Sequence, residues 1–334
     1  MTVRIEILAA PGLPEIGAGD DLAGLIMTSV DDLRSGDIVT VTSKVVSKAE
    51  GAVVRSDRSA MVDAETVDVV ARRGETVIAR TRLGLVLAAA GVDASNTPAG
   101  TVALLPTAPD ESARRLRADL AARAGVNVGV VITDTAGRAW RNGQVDVAIG
   151  CAGLAPMHSL AGGLDGFGNP LTVTAPAVAD EIAGAAELVK TKLAGRPVTI
   201  VRGLDDWVLD HGEDGPGAAA LIRPRADDMF GLGMREAVAE AVCDPTWTSP
   251  LSGGASPAEL VRMASRGLDD LTTSLSGSEL TATASDAWGA GPAGVRLGRF
   301  VERLEILARA NGWLVETRYA AGTGALVRFA APRP

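Results

Sequence analysis

Short runs of β-branched and aliphatic residues alternate with amphipathic stretches through the first 240 or so residues. The apolar runs predict strands, and the stretches with helical spacing predict helices. Strands are predicted at 3–8, 38–42, 75–79, 126–133 and 198–201. Helices are predicted at 22–34, 63–73, 110–124 and 176–193. This alternation indicates the α/β class, in a mixed α+β arrangement.

The composition changes at residues 245–257, where Pro, Ser, Thr and Gly dominate. We interpret this stretch as a linker between a domain at 1–244 and a small α+β domain of unknown role at 258–334. In the smaller domain the pattern predicts helices at 258–275 and 295–310 and strands at 313–318 and 324–329.

The most informative segment is the apolar run that ends at Asp134 and Thr135. Open α/β sheets place ligands at the carboxyl ends of such strands. Arg138 and Arg141 follow within a Gly-containing loop, and a guanidinium can grip a phosphate or carboxylate with two parallel hydrogen bonds. An ordinary turn would also explain an isolated Asp-Thr pair. The arginines favour a site for a metal ion and a phosphate.

Two further segments carry suitable groups. Asp93 could supply a second carboxylate to a divalent ion, and Asn96 could hydrogen-bond a nucleotide, although the segment 93–98 also has the composition of a turn. Residues 42–48 end a predicted strand with hydroxyl and ammonium groups of the kind that neutralise a transferring phosphoryl, but Lys and Ser are also the commonest surface residues. Neither a P-loop nor a dinucleotide fingerprint occurs in the sequence, so a nucleotide site here must use another architecture.

Composition narrows the function further. The net charge of −9 argues against a nucleic-acid partner, and no stretch is apolar enough to span a membrane. The first residues hold no apolar signal-peptide core, so we expect a cytoplasmic protein with free thiols at Cys151 and Cys243. With two His and two Cys, a zinc site is nearly excluded, and an oxygen-ligated Mg²⁺ or Mn²⁺ is expected instead.

Several ordered segments together resemble the coenzyme F-420-0:L-glutamate ligase (F-420 gamma-glutamyl ligase) family. The matching segments are 12–16, 42–51, 82–86, 91–96, 102–106, 132–135 with 137–144, 178–183 and 201–203. The resemblance covers residues 3 to 240. Relatives often carry a flavin-binding, nitroreductase-like domain after the ligase part. Residues 257–334 are too short for that domain, so only the ligase part is expected.

The resemblance implies an intertwined homodimer of the F-420 gamma-glutamyl ligase fold that joins L-glutamate to the lactyl carboxylate of the deazaflavin cofactor F-420-0. It implies GTP as co-substrate, a divalent ion, a potassium ion as a further candidate, and the addition of further γ-linked glutamates. Carried over residue by residue, the GTP site comprises Leu13, Pro14, Glu15, Ile16, Ser43, Lys48 and Asn96. The metal positions are Asp93, Asp134 and Thr135.

The family and the chemistry of these residues suggest one mechanism, in which GTP phosphorylates the substrate carboxylate and the glutamate amine attacks the resulting acyl phosphate. Our own candidates for holding the anionic substrates are Lys44, Arg138 and Arg141, and a solvated basic patch is the alternative for them. Two other functions stay open: a non-catalytic GTP- or deazaflavin-binding protein, and a metal-dependent phosphohydrolase.

Overall fold

The computed structural model describes residues 4–190, 194–244, 246, 254–268, 271–284, 292–320 and 324–330. The chain divides into two compact units, Met1–Ile222 (unit 1) and Arg223–Pro334 (unit 2). The sequence analysis places the domain boundary later, at residue 244. Most of the stretch interpreted as a linker, 245 and 247–253, lies outside the described residues.

Unit 1 contains ten strands and five α-helices among its described residues. The strands are β1 (Glu6–Ala9), β2 (Ile38–Thr42), β3 (Val53–Arg55), β4 (Thr66–Arg73), β5 (Thr76–Thr81), β6 (Val86–Ala88), β7 (Thr101–Ala103), β8 (Gly129–Arg138), β9 (Arg141–Ala152) and β10 (Val198–Arg202). The helices are α1 (Leu22–Ser29), α2 (Ser43–Ala49), α3 (Arg58–Glu65), α4 (Pro109–Ala124) and α5 (Val178–Lys190). Short 3₁₀ helices lie at Ala89–Gly91, Asp205–Trp207 and Ala218–Leu221.

A five-stranded sheet in the order β1-β10-β2-β8-β9, the central sheet, forms the framework of unit 1. Within it β2 and β8 run parallel, and every other neighbouring pair is antiparallel. Val39 and Val130 point into a core shared with α1 and α4, whereas Ile38 and Val131 point into a core shared with α5. Because helices cover both faces, these strands are apolar without alternation, which is why they stood out in the sequence.

Two smaller sheets complete unit 1: β4-β5-β6 and the pair β3-β7. The helix predicted over 63–73 is wrong, because α3 ends at Glu65 and β4 occupies 66–73. The run Thr66-Val67-Asp68-Val69-Val70 is rich in β-branched residues, and these pair with β5. The strand predicted at 126–133 also continues further than expected, to Arg138.

The buried Arg117 of α4 fixes the segment at 209–217, whose composition is that of a loose loop. Its Nη1 donates to the Glu213 carbonyl at 3.0 Å and to Asp214 Oδ1 at 2.8 Å. Its Nη2 donates to Asn127 Oδ1 at 2.8 Å and to the Asp210 carbonyl at 3.1 Å. Its Nε donates to the backbone carbonyl of Val128, which directly precedes β8. Every N–H group of the guanidinium therefore has an acceptor. The segment is therefore tied to α4 at several points.

Unit 2 is an α+β unit, as predicted for the C-terminal part. It contains α6 (Met234–Cys243), α7 (Pro257–Ala264), α8 (Pro292–Ala310) and the strands β11 (Leu271–Ser276), β12 (Glu279–Ala284), β13 (Leu314–Ala320) and β14 (Gly324–Ala330), with a 3₁₀ turn at Arg225–Asp227. The strands form one antiparallel sheet in the order β11-β12-β14-β13. Phe300 and Leu304 of α8 are fully buried against it. The single helix predicted over 258–275 is wrong in its second half, where β11 pairs with β12.

The mixed α/β architecture predicted from the alternating pattern is confirmed. Within the described residues, no helix has the length and apolar character needed to cross a membrane.

Candidate active site

The parallel register of β2 and β8 brings the first two candidate residues together. Thr42 pairs with Thr133, so Ser43, which follows β2 at that edge of its pairing with β8, lies beside Asp134 of β8. The Ser43 hydroxyl, which is buried, donates to Asp134 Oδ1 at 2.8 Å. Ser43 is also the first residue of α2, so the helix starts at the carboxylate.

The next residue of α2 reaches a second carboxylate. Lys44 Nζ lies 2.6 Å from Asp93 Oδ2 and also donates to the carbonyl and the hydroxyl of Ser95, each at 2.8 Å. Asp93 itself is held by two backbone hydrogen bonds to Ala103 at the end of β7. Consecutive residues of one helix therefore contact the two aspartates that the sequence analysis proposed as metal ligands.

One turn later, Lys48 connects α2 to the segment that the resemblance assigns to GTP. Its Nζ lies 2.5 Å from Glu15 Oε1, and the Glu15 side chain is 81% exposed. The neighbouring Ile16 is buried, and Leu13 packs against the core beneath α1. Apolar side chains thus anchor the segment. Its Glu15 carboxylate pairs with the Lys48 ammonium, and a phosphate could replace Glu15 as the partner of that lysine.

The two aspartates differ in their electrostatic surroundings. Burial raises the pKa of Asp134 to about 6; the hydrogen bond from Ser43 lowers it in part, and the negative charges of Asp146 and Asp93 raise it again. Burial also acts to raise the pKa of Asp93, but the hydrogen bonds from Lys44 and Ser95 outweigh it and hold this pKa below its ordinary value. At neutral pH the edge thus carries two carboxylates, and among the described residues no cation is paired with Asp134.

These groups fit a divalent ion of the kind expected. No cluster of three or more His, Cys, Asp or Glu side chains that could hold a metal exists in the described part of the chain. Mg²⁺, however, is commonly held by one or two protein carboxylates together with phosphate oxygens and water. The incompletely compensated charge of Asp134, with Asp93 close enough to raise its pKa, matches that donor set. The side chain of Thr135, the next residue of β8, lies on the opposite face of the strand, where its hydroxyl donates to Asp146 Oδ1 at 2.9 Å.

Asn96 lies in the turn that follows Asp93. Its backbone is in the left-handed region, at φ 51°, and its residue is exposed. Asn tolerates that conformation better than most residues. The turn therefore presents the amide side chain three residues beyond the carboxylate held by Lys44.

The structure does not bring Arg138 and Arg141 to the two aspartates. They form the last pair of the β8–β9 hairpin, with Ala139 and Trp140 as its two-residue turn. Four strand residues beyond Asp134 correspond to about 13 Å. Arg138 Nη2 donates to the Asn142 carbonyl at 2.9 Å, and Trp140 is 82% exposed. The sequence suggested a ligand-binding loop here, but β-pairing continues to the tip.

Sequence reasoning missed a buried charged pair next to the site. Lys190 Nζ lies 2.6 Å from Asp146 Oδ2, and both side chains are 3% exposed. A signal was present: in α5 the buried residues Ile182, Ala186 and Lys190 recur every four residues, so a lysine occupies the apolar stripe. A lysine in that position must find a buried partner.

Comparison with known proteins finds a family model whose match lies within unit 1. The family model described as F420-0:Gamma-glutamyl ligase matches residues 12–203. Coenzyme F420:L-glutamate ligase of Methanopyrus kandleri is 40% identical over 250 residues, covering 69% of this chain and 98% of the relative. The protein of the same name from Methanothermobacter thermautotrophicus is 36% identical over 252 residues, covering 68% and 98%. That from Halorubrum lacusprofundi is 42% identical over 234 residues, covering 62% and 90%.

The matched span contains Ser43, Lys44, Lys48, Asp93 and Asp134, the residues that meet at the edge of the central sheet. The resemblance noted from the sequence is therefore confirmed, and this chain belongs to the F420-0:gamma-glutamyl ligase family.

Proposed function

We propose that this protein is a coenzyme F420:L-glutamate ligase that uses GTP and a divalent ion to attach L-glutamate to the lactyl carboxylate of F420-0. The observation that carries the proposal is that neighbouring residues of α2 contact both aspartates, Ser43 with Asp134 and Lys44 with Asp93. The names of the relatives supply the substrates, and the site supplies charges suited to phosphoryl transfer.

In this proposal Asp93 and Asp134 would hold the divalent ion, which would supply positive charge to the phosphate oxygens of GTP. Thr135 occupies a position that the resemblance assigns to the metal, and its hydroxyl donates to Asp146. Lys48 exchanges its contact with Glu15 for a phosphate, and the segment 13–16 with Asn96 and Ser43 lines the nucleotide site. Lys44 stays beside Asp93 with its ammonium close to the transferred group. Each of these groups binds or orients a reactant, and none is required as a nucleophile.

The bond changes balance without a protein nucleophile. An oxygen of the lactyl carboxylate attacks the γ-phosphorus of GTP, the bond to the β-phosphate oxygen breaks, and GDP leaves. The glutamate amine then attacks the carbonyl carbon of the acyl phosphate, phosphate leaves, and the nitrogen loses its protons to solvent. The product carries one new amide bond, and repetition on the added glutamate would give γ-linked extensions.

We propose a homodimer as the working form. Several apolar side chains of unit 1 are far more exposed than a monomer requires, among them Phe167 at 95%, Val173 at 89%, Leu188 at 77% and Leu164 at 67%. Three of the four lie in the segment between β9 and α5, and Leu188 lies in α5 itself. A second copy covering these residues would remove that apolar area from water.

The proposal is tested by measuring phosphate release from GTP with Mg²⁺ or Mn²⁺, in potassium or sodium buffer, with and without F420-0 and L-glutamate, and by weighing the products. Release that needs both substrates, with a product heavier by one or more glutamyl residues, is expected. Release without glutamate would instead indicate a phosphohydrolase, and binding without turnover would indicate a non-catalytic binding protein.

Variants connect that activity to the site. Lys44→Met keeps the length of the side chain but removes the charge beside Asp93, and we expect ligation to fall by about 100-fold or more. Asp119→Asn removes an exposed carboxylate on α4 and serves as the matched control, with unchanged ligation. Equal activity in Lys44→Met and the wild type would contradict the role given to α2.

A further inference from the structure

An open cavity with two arginines in its lining lies beside the turn at 93–100. Its volume is about 530 Å³, which is in the range of small-molecule sites. The turn and the segment between β3 and α3 contribute lining residues that include Arg55, Ser56, Asp57, Arg58, Ala94 and Gly100. The Arg55 guanidinium lies against the turn, because a Cβ on Gly100 would be 3.8 Å from its Nη1. We call this cavity the arginine cavity.

The Arg55 side chain is on the same face of a small sheet as the Asp93 carboxylate. Asp93 pairs with Ala103 on one side of β7, and Val53 pairs with Ala103 on the other side. Arg55 is two residues beyond Val53 in β3, so the alternation of side chains puts it on the face of Asp93. Two strand spacings across and two residues along correspond to about 12 Å between the Cα atoms of Arg55 and Asp93. One small substrate can therefore reach from Arg55 to the Lys44–Asp93 pair.

The two arginines of the cavity carry uncompensated charge. Both Arg55 and Arg58 are exposed. Across the described ranges neither has a carboxylate within ion-pair distance, whereas Arg82, for example, is paired with Glu65 at 2.8 Å. Asp57 also lines the cavity, which leaves one net positive charge. In a chain with a net charge of −9, such a concentration of guanidinium groups indicates a site for an anion.

The lining fits a small dicarboxylate better than it fits the other two substrates of the proposed reaction. A guanidinium can hold a carboxylate with two parallel hydrogen bonds, and two arginines match the two carboxylates of L-glutamate. The net charge of the cavity is opposite to that of L-glutamate at neutral pH. GTP and F420-0 each carry a planar ring system, and the described residues that line the cavity include no aromatic side chain for such a ring.

We propose that the arginine cavity is the subsite for the amino-acid substrate, in which Arg55 and Arg58 bind the two carboxylates of L-glutamate. This inference rests on the ligation proposed above, and it adds two residues outside the set assigned to GTP and the divalent ion. Both arginines bind and orient the substrate, with its amino group toward Asp93, and they take no part in the bond changes.

The test is steady-state ligation by the full chain, with the concentrations of L-glutamate, GTP and F420-0 varied in turn. Arg55→Gln with Arg58→Gln removes both charges, so the KM for L-glutamate should rise at least about 10-fold, while the other two KM values change less than about twofold. Arg55→Lys with Arg58→Lys keeps the charges but loses the paired hydrogen bonds, and a smaller rise of at least about threefold is expected. Arg73→Gln removes an exposed arginine at the end of β4, outside the cavity, and is the matched control with an unchanged KM.

Three results would overturn the inference alone: an unchanged KM for L-glutamate in the glutamine double variant, an equal rise in Arg73→Gln, or a rise in the KM for GTP or F420-0 instead. The last result would assign the cavity to the phosphate groups of that substrate. A wild-type protein that does not ligate would overturn the proposed function and, with it, the inference. If circular dichroism shows that the glutamine double variant is unfolded, the lysine double variant decides, and an unchanged KM for L-glutamate in that variant overturns the inference.

Discussion

Replacing Asp134 with Asn is expected to stabilise the metal-free protein at neutral pH. Asn has the shape of the protonated acid and keeps an oxygen that can accept from Ser43. In the wild type, burial together with the nearby Asp146 and Asp93 raises the pKa of Asp134 to about 6, from an ordinary value of 3.8. The folded protein thus holds the proton more tightly than the unfolded chain does.

The sign and size of the effect follow from this difference. A raised pKa of an acid contributes stability below about pH 4, and this contribution is lost as the pH rises to about 6. A pKa about two units above the ordinary value corresponds to up to about 3 kcal/mol. The difference in unfolding free energy between Asp134→Asn and the wild type should therefore grow by up to about 3 kcal/mol between pH 4 and pH 7.5, in favour of the variant.

The assay is urea unfolding of the full chain in chelator across that pH range, with the transition of unit 1 assigned by hydrogen-exchange mass spectrometry of peptides from β2 and β8. Subtracting the two proteins cancels the contributions of the other carboxylates. Added Mg²⁺ should reverse the order at pH 7.5, because only the wild type keeps both ligands. A difference in stability that is constant from pH 4 to 7.5 would refute the reasoning.

Two further predictions concern packing and thiol chemistry. Gly153 has φ +68°, and a Cβ there would lie 2.2 Å from Arg117 Nε, so Gly153→Ala should lower the unfolding free energy by at least about 3 kcal/mol in urea titrations. Gly162, at φ +87° with nothing within 4 Å, is the control, and its alanine variant should lose only about 1 to 2 kcal/mol; equal losses would rule out the contact as the cause. Burial raises the pKa of the Cys151 thiol to about 12, so iodoacetamide should modify only the exposed Cys243 in the native protein. In urea both cysteines should be modified, and mass spectrometry counts the labels. Rapid labelling of Cys151 without denaturant would contradict this prediction.

The sequence was most informative where structure is determined locally. The strand at Ile38–Thr42 was predicted with its observed bounds, and α4 to within one residue, because apolar runs and helical spacing are properties of neighbouring residues. The helix expected at 63–73 failed because β-pairing of β4 with β5 outweighed a weak helical spacing.

The candidate site likewise has residues that the sequence could propose and contacts that it could not. Asp93 and Asp134 could be proposed as partners of one ion from residue type alone, and the contacts of α2 are consistent with that proposal. That Ser43 is the residue touching Asp134 depends on the parallel register of β2 and β8, two strands about ninety residues apart. Such pairing leaves no mark in either segment. For the same reason, the hairpin that carries Arg138 and Arg141 away from the aspartates was mistaken for a loop.

The guanidinium of Arg117 holds the segment at 209–217 by hydrogen bonds, although the composition of that segment is that of a loose loop. A surface stretch with this many Gly and Asp residues would ordinarily be cut by proteases during brief local openings. Here it is bonded to a side chain that is itself buried in α4, so releasing the segment would leave the Arg117 guanidinium buried without three of its acceptors. Cleavage within 209–217 is therefore expected to be slower than its composition suggests, and its rate would report how often the hydrogen bonds to Arg117 open.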